Sequence, residues 1–467
     1  MTTPQQLLTQ GRLHHQTGLL AQAERCYREA LLAAPDHADG LALLGLLMLQ
    51  QSRFDESVKF LRPASRFAVE SAAIHCNLGT ALRGIGDTGA AIASFETALR
   101  LEPQYAGAHY NLALALQDSD QSQLAYQHFK DALAIQPDDQ GALTSLGTLC
   151  MDHGDFDEAV AHFEHVVSLS PDSSRAHFHL GNALAKSDQL DQALSALKRA
   201  RSLEPSCADI HNNLGLLYQQ CDDLALARSS FENALAEQAE HPHALANLGD
   251  LLLRQQHIAE AYDLLERALA FLPTNADLLC SLGRASALSS EHDAAETFYR
   301  EAHRVQPDSP RAIFGIASAH YLRGEFRDAS IHYQQGLALD HTNVDALRRV
   351  AWLYSQFEQH RQAIDAYERL LDLKSDDIES RISTARLYSM LGEYANSIQH
   401  LKRALRVDAQ NRSGWDVLGY AWQAAGNSMR AITCYRQMLK LQPEDTLARR
   451  NLADQYRLIG NLDEAAH

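Results

Sequence analysis

The sequence is poor in the residues that break chains: 12 prolines and 24 glycines in 467 residues. That excludes long linkers, low-complexity tails and a loop-rich all-β fold. Its seven cysteines are odd in number, widely spread and contain no CxxC pair. They make no disulfide framework, and a reducing, cytoplasmic setting is expected. Positive charge is in deficit, with 41 Lys and Arg against 59 Asp and Glu, a net charge of −18. A general nucleic-acid binder is thereby disfavoured, since phosphate binding rests on Lys and Arg. The longest apolar run, Leu41 to Leu49, stops at Gln50, far short of the roughly 20 residues a spanning helix needs. The opening MTTPQQLLTQ has no basic stretch followed by an apolar one, so neither a secretory signal nor a membrane partner is expected. P-loop, GxSxG, kinase and HEXXH signatures are all missing. No enzyme activity, catalytic residue, cofactor or metal centre is expected.

What is present is a period. Pro35, Pro103, Pro137, Pro171, Pro205, Pro273, Pro307 and Pro443 are separated by multiples of 34, and Pro4, Pro242 and Pro310 share a second column of that register. With Pro4 as column one, repeats begin at 4, 38, 72, 106, 140, 174, 208, 242, 276, 310, 344, 378 and 412, with a partial repeat at 446–467. Column eight is Gly or Ala in all fourteen rows (Gly11, Gly45, Gly79, Ala113). Column twenty is Ala in all but two, where Ser57 and Ser397 stand. Column twenty-four is aromatic or Leu in the thirteen rows that reach it (Tyr27, Leu61, Phe95). A fixed period of this length means a modular array with no single core.

The columns describe a helical hairpin. Columns four, seven, eight and eleven have the three-and-four spacing of one helix face (Trp415, Leu418, Gly419, Trp422), and columns twenty, twenty-four and twenty-seven that of a second (Ala91, Phe95, Ala98). Small residues at columns eight and twenty let the backbones approach while the column-24 side chain fills the space beside them. Proline at column thirty-two ends the second helix. Column thirty-three is Asp, Glu, Ser or Thr in eleven of thirteen rows and suits the start of the next helix. Pro63, inside a second helix, predicts a kink there.

These residues resemble the tetratricopeptide repeat, whose Leu-Gly, Ala, Phe/Tyr and Pro columns they match. Stretches such as Ala-Ile-His-Cys-Asn-Leu-Gly-Thr-Ala-Leu (73–82) and Ala-His-Tyr-Asn-Leu-Ala-Leu-Ala-Leu (108–116) are more narrowly similar to the repeat region of O-linked N-acetylglucosamine transferases. The resemblance implies an all-α, right-handed superhelical solenoid over 4–467, whose first helices line a groove for an extended peptide or a partner helix. It implies a protein-binding scaffold with proteins or peptides as partners. The alternative it leaves open is the substrate-recruiting region of such a transferase, with a catalytic domain outside this chain. The partial last repeat suggests association through its uncovered end.

Binding must use the stripe of the first helices left after packing, columns two, five, six, nine, twelve and thirteen. Column six carries Asn77, Asn111, Asn213, Asn247 and Asn451. In the transferase family this position forms an asparagine ladder on a threaded peptide, since an amide both donates and accepts. Here the ladder is broken by Ser145, His179, Arg349 and others, and its amides could equally be only solvated. Columns five and nine add Tyr110, Phe178, Phe314, Trp352 and Tyr420 as aromatic anchors, or as rings that pack between repeats. Arg311, Arg348, Arg349 and Arg386 make the stripe basic around Trp352, a candidate anion-binding patch, unless Asp345 or Glu379 pairs with them. His75, His109, His177 and His211 share column four and belong to the packing pattern.

Overall fold

The structure, a computed structural model, describes residues 3–465; residues 466 and 467 of the final partial repeat lie outside that range. The described residues form 28 helices and no strand. They divide into two compact units, with the boundary between residues 237 and 238. Each unit holds seven helical hairpins, the last ending in the four-residue helix Leu462–Ala465. First helices begin at 4, 38, 72 and every 34 residues to 446, and run from column one to column thirteen, as in Pro4–Gln16 and Ala208–Gln220, or end one residue to either side, as in Ala106–Gln117 and Gln140–His153. Second helices run over columns seventeen to thirty, as in Leu20–Ala33 and Phe326–Leu339. The helix Phe54–Phe67 continues through Pro63 without interruption.

Each boundary has a local cause. The side chain that caps a first helix stands at column thirty-four, not at the acidic column thirty-three. Asp139, Ser173, Asn275, Asn343 and Asp377 accept from the backbone N–H three residues on, at 2.9 to 3.2 Å. Column thirty-three lies one residue too early for that bond, within the preceding turn. His37 and His241 do the same through Nδ1, a capping role their residue type does not advertise. Pro4, Pro242 and Pro310 occupy the first helical turn, where the missing N–H costs nothing. Between the helices of every repeat, column fifteen has a left-handed backbone. Seven of these residues are Gly, and the others are Ser52, Asp120, Asp188, Asp222, Gln256, Ser290 and Glu358, with φ between 57° and 65°.

The two helices of a hairpin are held together at column eight. A Cβ placed on Gly147 would lie 2.8 Å from the Phe163 ring, one on Gly215 2.5 Å from Phe231, and one on Gly419 2.5 Å from Tyr435. These are the column-24 side chains of the same repeats, all at most 1% exposed. The two serines that replace the column-20 alanine are fully buried and satisfied: Ser57 Oγ donates to the Gly45 carbonyl at 2.7 Å, and Ser397 Oγ lies 2.8 Å from Ser389 Oγ.

The column-four side chain closes the junction between repeats. Wherever it carries an N–H, it donates to the carbonyl of column thirty-two, six residues earlier. His75, His109, His177 and His211 reach Val69, Pro103, Pro171 and Pro205 at 2.8 to 3.2 Å through Nε2. Arg381, Trp415 and Arg449 reach Ser375, Ala409 and Pro443 at 2.6 to 2.8 Å. The other seven rows have Leu or Ile there. Within each unit, second helices pack on the next first helix, and several neighbouring first helices also touch, as Ala72–Gly84 touches Ala106–Gln117. Successive first helices therefore turn the same columns to the side that the second helices leave free.

Two expectations follow for stability. Gly147→Val forces a branched side chain into the Phe163 ring and lowers stability by about 1–3 kcal/mol, read as an earlier first transition in urea followed by circular dichroism. Gln256→Gly relieves a left-handed backbone that costs a side-chain-bearing residue about 1–2 kcal/mol, part of which the freer unfolded chain takes back. The net is a rise of about 0.5–1 kcal/mol by the same assay.

Candidate functional site

In the second unit, three successive first helices enclose an open pocket of about 490 Å³. Tyr321 comes from Pro310–Leu322, Asp345, Arg348, Arg349 and Trp352 from Val344–Gln356, and Glu379, Ser380 and Ser383 from Ile378–Met390; Tyr367 of the helix His360–Leu373 forms the floor. All but Tyr367 and the buried Ser380 lie on the face that the hairpins leave free. Columns two, five, six and nine of one helix converge here because they are spaced by three and four residues.

The two arginines differ in use. Arg348 donates to Asp345 at 3.0 Å and to Asp377 at 2.6 Å. Asp377 is itself the cap of Ile378–Met390, accepting from Ser380 N–H at 3.0 Å, and its side chain is only 9% exposed. Burial pushes the Asp377 carboxyl up, but the Ser380 N–H and the Arg348 guanidinium outweigh it and hold the group below its ordinary value of 3.8. Arg348 thus ties one repeat to the helix cap of the next. Arg349 instead lies 4.8 Å over the Tyr321 ring. Among the described residues no carboxylate pairs with it. Tyr321 meets Trp352 edge to face at 5.6 Å, and Phe326 supports Trp352 from behind at 5.5 Å. Asp345 and Glu379 share the rim, so the pocket offers one unpaired cation in mixed surroundings and does not form a broad positive field.

The remaining basic-stripe residues do not line this pocket. Arg311 donates to Asp277 at 3.2 Å and to Ser281 at 2.8 Å, and Arg386 donates to Ser413 at 2.6 Å. Of the aromatic set, Phe314 lies against Gly336 and Tyr333 within its own repeat. Tyr110 packs beside Phe129 at 5.9 Å, Phe178 beside His179 at 5.9 Å, and Tyr420 is 53% exposed. The column-six asparagines are each partly buried. Asn213 Nδ2 donates to Asn182 Oδ1 at 2.8 Å while its own Oδ1 accepts from Asn212 at 3.0 Å. Asn111 points Nδ2 at the Cys76 sulfur, 3.8 Å away. Tyr321 and Ser383 were not singled out in the sequence, although both stand in the free stripe, at columns twelve and six. The buried thiols are poor nucleophiles. Desolvation pushes Cys280 up to about 11 and Cys150 and Cys434 up to about 12.

Sequence profiles described as tetratricopeptide repeat match residues 8–66, 350–412 and 417–466, residues 150–217 and 220–282, and residues 106–139, and one described as TPR repeat matches 81–120. The chain belongs to the tetratricopeptide-repeat family. Human tetratricopeptide repeat protein 7B is 32% identical over 96 residues, which is 21% of this chain and 11% of that one. Protein FlbA of Caulobacter vibrioides is 31% identical over 93 residues, 20% of this chain and 16% of that one. The matched stretch thus spans between about a tenth and a sixth of those relatives. Among solved structures, the APC/C hetero-tetramer Cut9-Hcn1 has 14% identity and a TM-score of 0.45, covering 97% of this chain and 96% of that chain. The human IFIT1 dimer with m7Gppp-AAAA has 19% identity and a TM-score of 0.48, covering 79% and 90%. As a tetratricopeptide-repeat array the chain is an interaction scaffold, and among the described residues no helix is long and apolar enough to cross a membrane.

The different uses of Arg348 and Arg349 can be separated. Arg348→Met leaves the mostly buried Asp377 without its counter-ion and lowers stability by about 1–2 kcal/mol at pH 7, allowing for the partial exposure of the arginine. Arg349→Met leaves stability within about 0.5 kcal/mol. The Asp377 value is depressed by folding, so its contribution is present above the ordinary 3.8 and is lost as pH falls through the folded value. The gap between wild type and Arg348→Met in urea titrations therefore closes below about pH 4.

Proposed function

We propose that this protein is a non-catalytic, cytoplasmic scaffold whose second unit grips an extended peptide segment of a partner at the Arg349 pocket. The observation that carries the reading is a guanidinium with no carboxylate partner among the described residues, laid over Tyr321 beside Trp352 in an open pocket. A guanidinium held this way is oriented before binding and can take a carboxylate in its fork. Trp352 and Tyr321 supply apolar area for an adjacent side chain. Asp345 and Glu379 favour an N–H or ammonium nearby and disfavour a doubly charged phosphate. The preferred segment thus has one carboxylate next to an aromatic or aliphatic residue. In the first unit, Asn182 and Asn213 form a connected donor–acceptor pair suited to peptide backbone, held from behind by the buried Asn212. Seven unpaired cysteines support a reducing compartment.

Selection of dodecapeptides displayed against the intact chain tests this. The expected sequences carry Asp, Glu or a free C-terminus beside an apolar residue. Their affinity falls at least tenfold in Arg349→Glu, with unchanged helical circular dichroism, and weakens with salt. Peptides that bind Arg349→Glu as tightly as wild type would remove this pocket from the binding surface.

A further inference from the structure

One hairpin of the first unit brings together three side chains with a nitrogen or oxygen each close to a common point. In the repeat at 106–139, His109 stands on the first helix Ala106–Gln117, and His128 and Asp131 stand one turn apart on the second, Ser122–Ile135. His109 Nδ1 and His128 Nδ1 are 3.0 Å apart, and Asp131 Oδ2 is 3.8 Å from each. A triangle with these sides has its centre about 2.1 Å from every corner, the bond length of zinc to imidazole nitrogen or carboxylate oxygen.

The outward atoms of two of the three ligands are already held. The His109 Nε2 is 3.0 Å from the Pro103 carbonyl. A carbonyl can only accept, so the His109 proton sits on Nε2 and its Nδ1 presents a lone pair. Asp131 Oδ1 accepts from Gln127 Nε2 at 3.1 Å, leaving Oδ2 to face the histidines. A backbone carbonyl behind one ligand and an amide behind another is the second layer that orients metal ligands. The side chains of His109, His128 and Asp131 are 12%, 26% and 39% exposed, so an ion can enter and keep a water as fourth ligand.

We propose that His109, His128 and Asp131 form a binding site for a zinc-class divalent cation. Two imidazoles and one carboxylate suit zinc and its first-row neighbours, and not magnesium or calcium, which take oxygen. Without the ion, His128 donates its Nδ1 proton to His109. With it, the His128 proton moves to the outer Nε2, and both Nδ1 lone pairs bind the metal. The ion would then clamp the two helices of this hairpin.

The test uses the full chain without a polyhistidine tag, titrated with Zn²⁺ by calorimetry and with Co²⁺ by visible absorption. One ion per chain is expected at a Kd of about 10 µM or tighter, with cobalt bands of four-coordinate geometry and a raised melting temperature. His128→Ala and Asp131→Ala leave the His109–Pro103 bond intact, so their folding in EDTA matches wild type, while each weakens Zn²⁺ binding at least tenfold. His177→Ala removes the equivalent column-four histidine of the repeat at 174–207, which among the described residues has no such cluster around it, and leaves the affinity unchanged. Failure of wild type to bind, or a loss below tenfold in both His128→Ala and Asp131→Ala, overturns the site and leaves a plain histidine–histidine hydrogen bond.

Discussion

The contact on which the array depends is the one between column eight and column twenty-four. A ring or leucine of the second helix lies on the small column-eight residue of the first, and in the glycine rows the spacing leaves no room for a further carbon. This fixes how close the two helices stand, and with it the position of every side chain on the opposite face. The functional stripe is therefore a consequence of packing: the residues at columns two, five, six, nine and twelve reach the free surface because four, seven, eight and eleven are held against a partner helix. Arg349 and Trp352 meet Tyr321 of the preceding repeat for that reason.

Much of this was legible in the sequence because the period repeats the same physical problem fourteen times. Helix type, hairpin pairing and the small-against-large contact follow from spacing alone, since only close packing demands Gly or Ala at one column and a bulky residue sixteen positions later. The capping column was misplaced by one residue. Acidic residues at column thirty-three satisfy the same compositional rule, and only geometry shows that the bond is made from column thirty-four. How column twenty tolerates a serine is likewise visible only in the structure, where Ser57 Oγ donates to the Gly45 carbonyl.

The candidate site was less legible, and the reason is specific. Column arithmetic assigns each residue to a face, but it does not say which carboxylate a guanidinium will choose. Arg348 and Arg349 are neighbours in sequence and alike in type, yet one is bonded to a helix cap 29 residues on and the other lies on an aromatic face. Side chains of that length reach two or three repeats' worth of partners, and the choice depends on distances of an ångström. Likewise His109 and His128 are 19 residues apart with no recognisable spacing, because the hairpin, not the local sequence, makes them neighbours.

The bond from column four to the carbonyl of column thirty-two has a further consequence. Histidine, arginine and tryptophan all supply it, so the junction constrains only where an N–H must be and leaves the remainder of the side chain open to change. In His109 that remainder is a second nitrogen turned toward His128 of the neighbouring helix, and in His211 it is buried with no hydrogen-bond partner among the described residues. Such a junction keeps a latent ligand in reserve at several places along one chain, where a single exchange on the facing helix could recruit it without disturbing the stack.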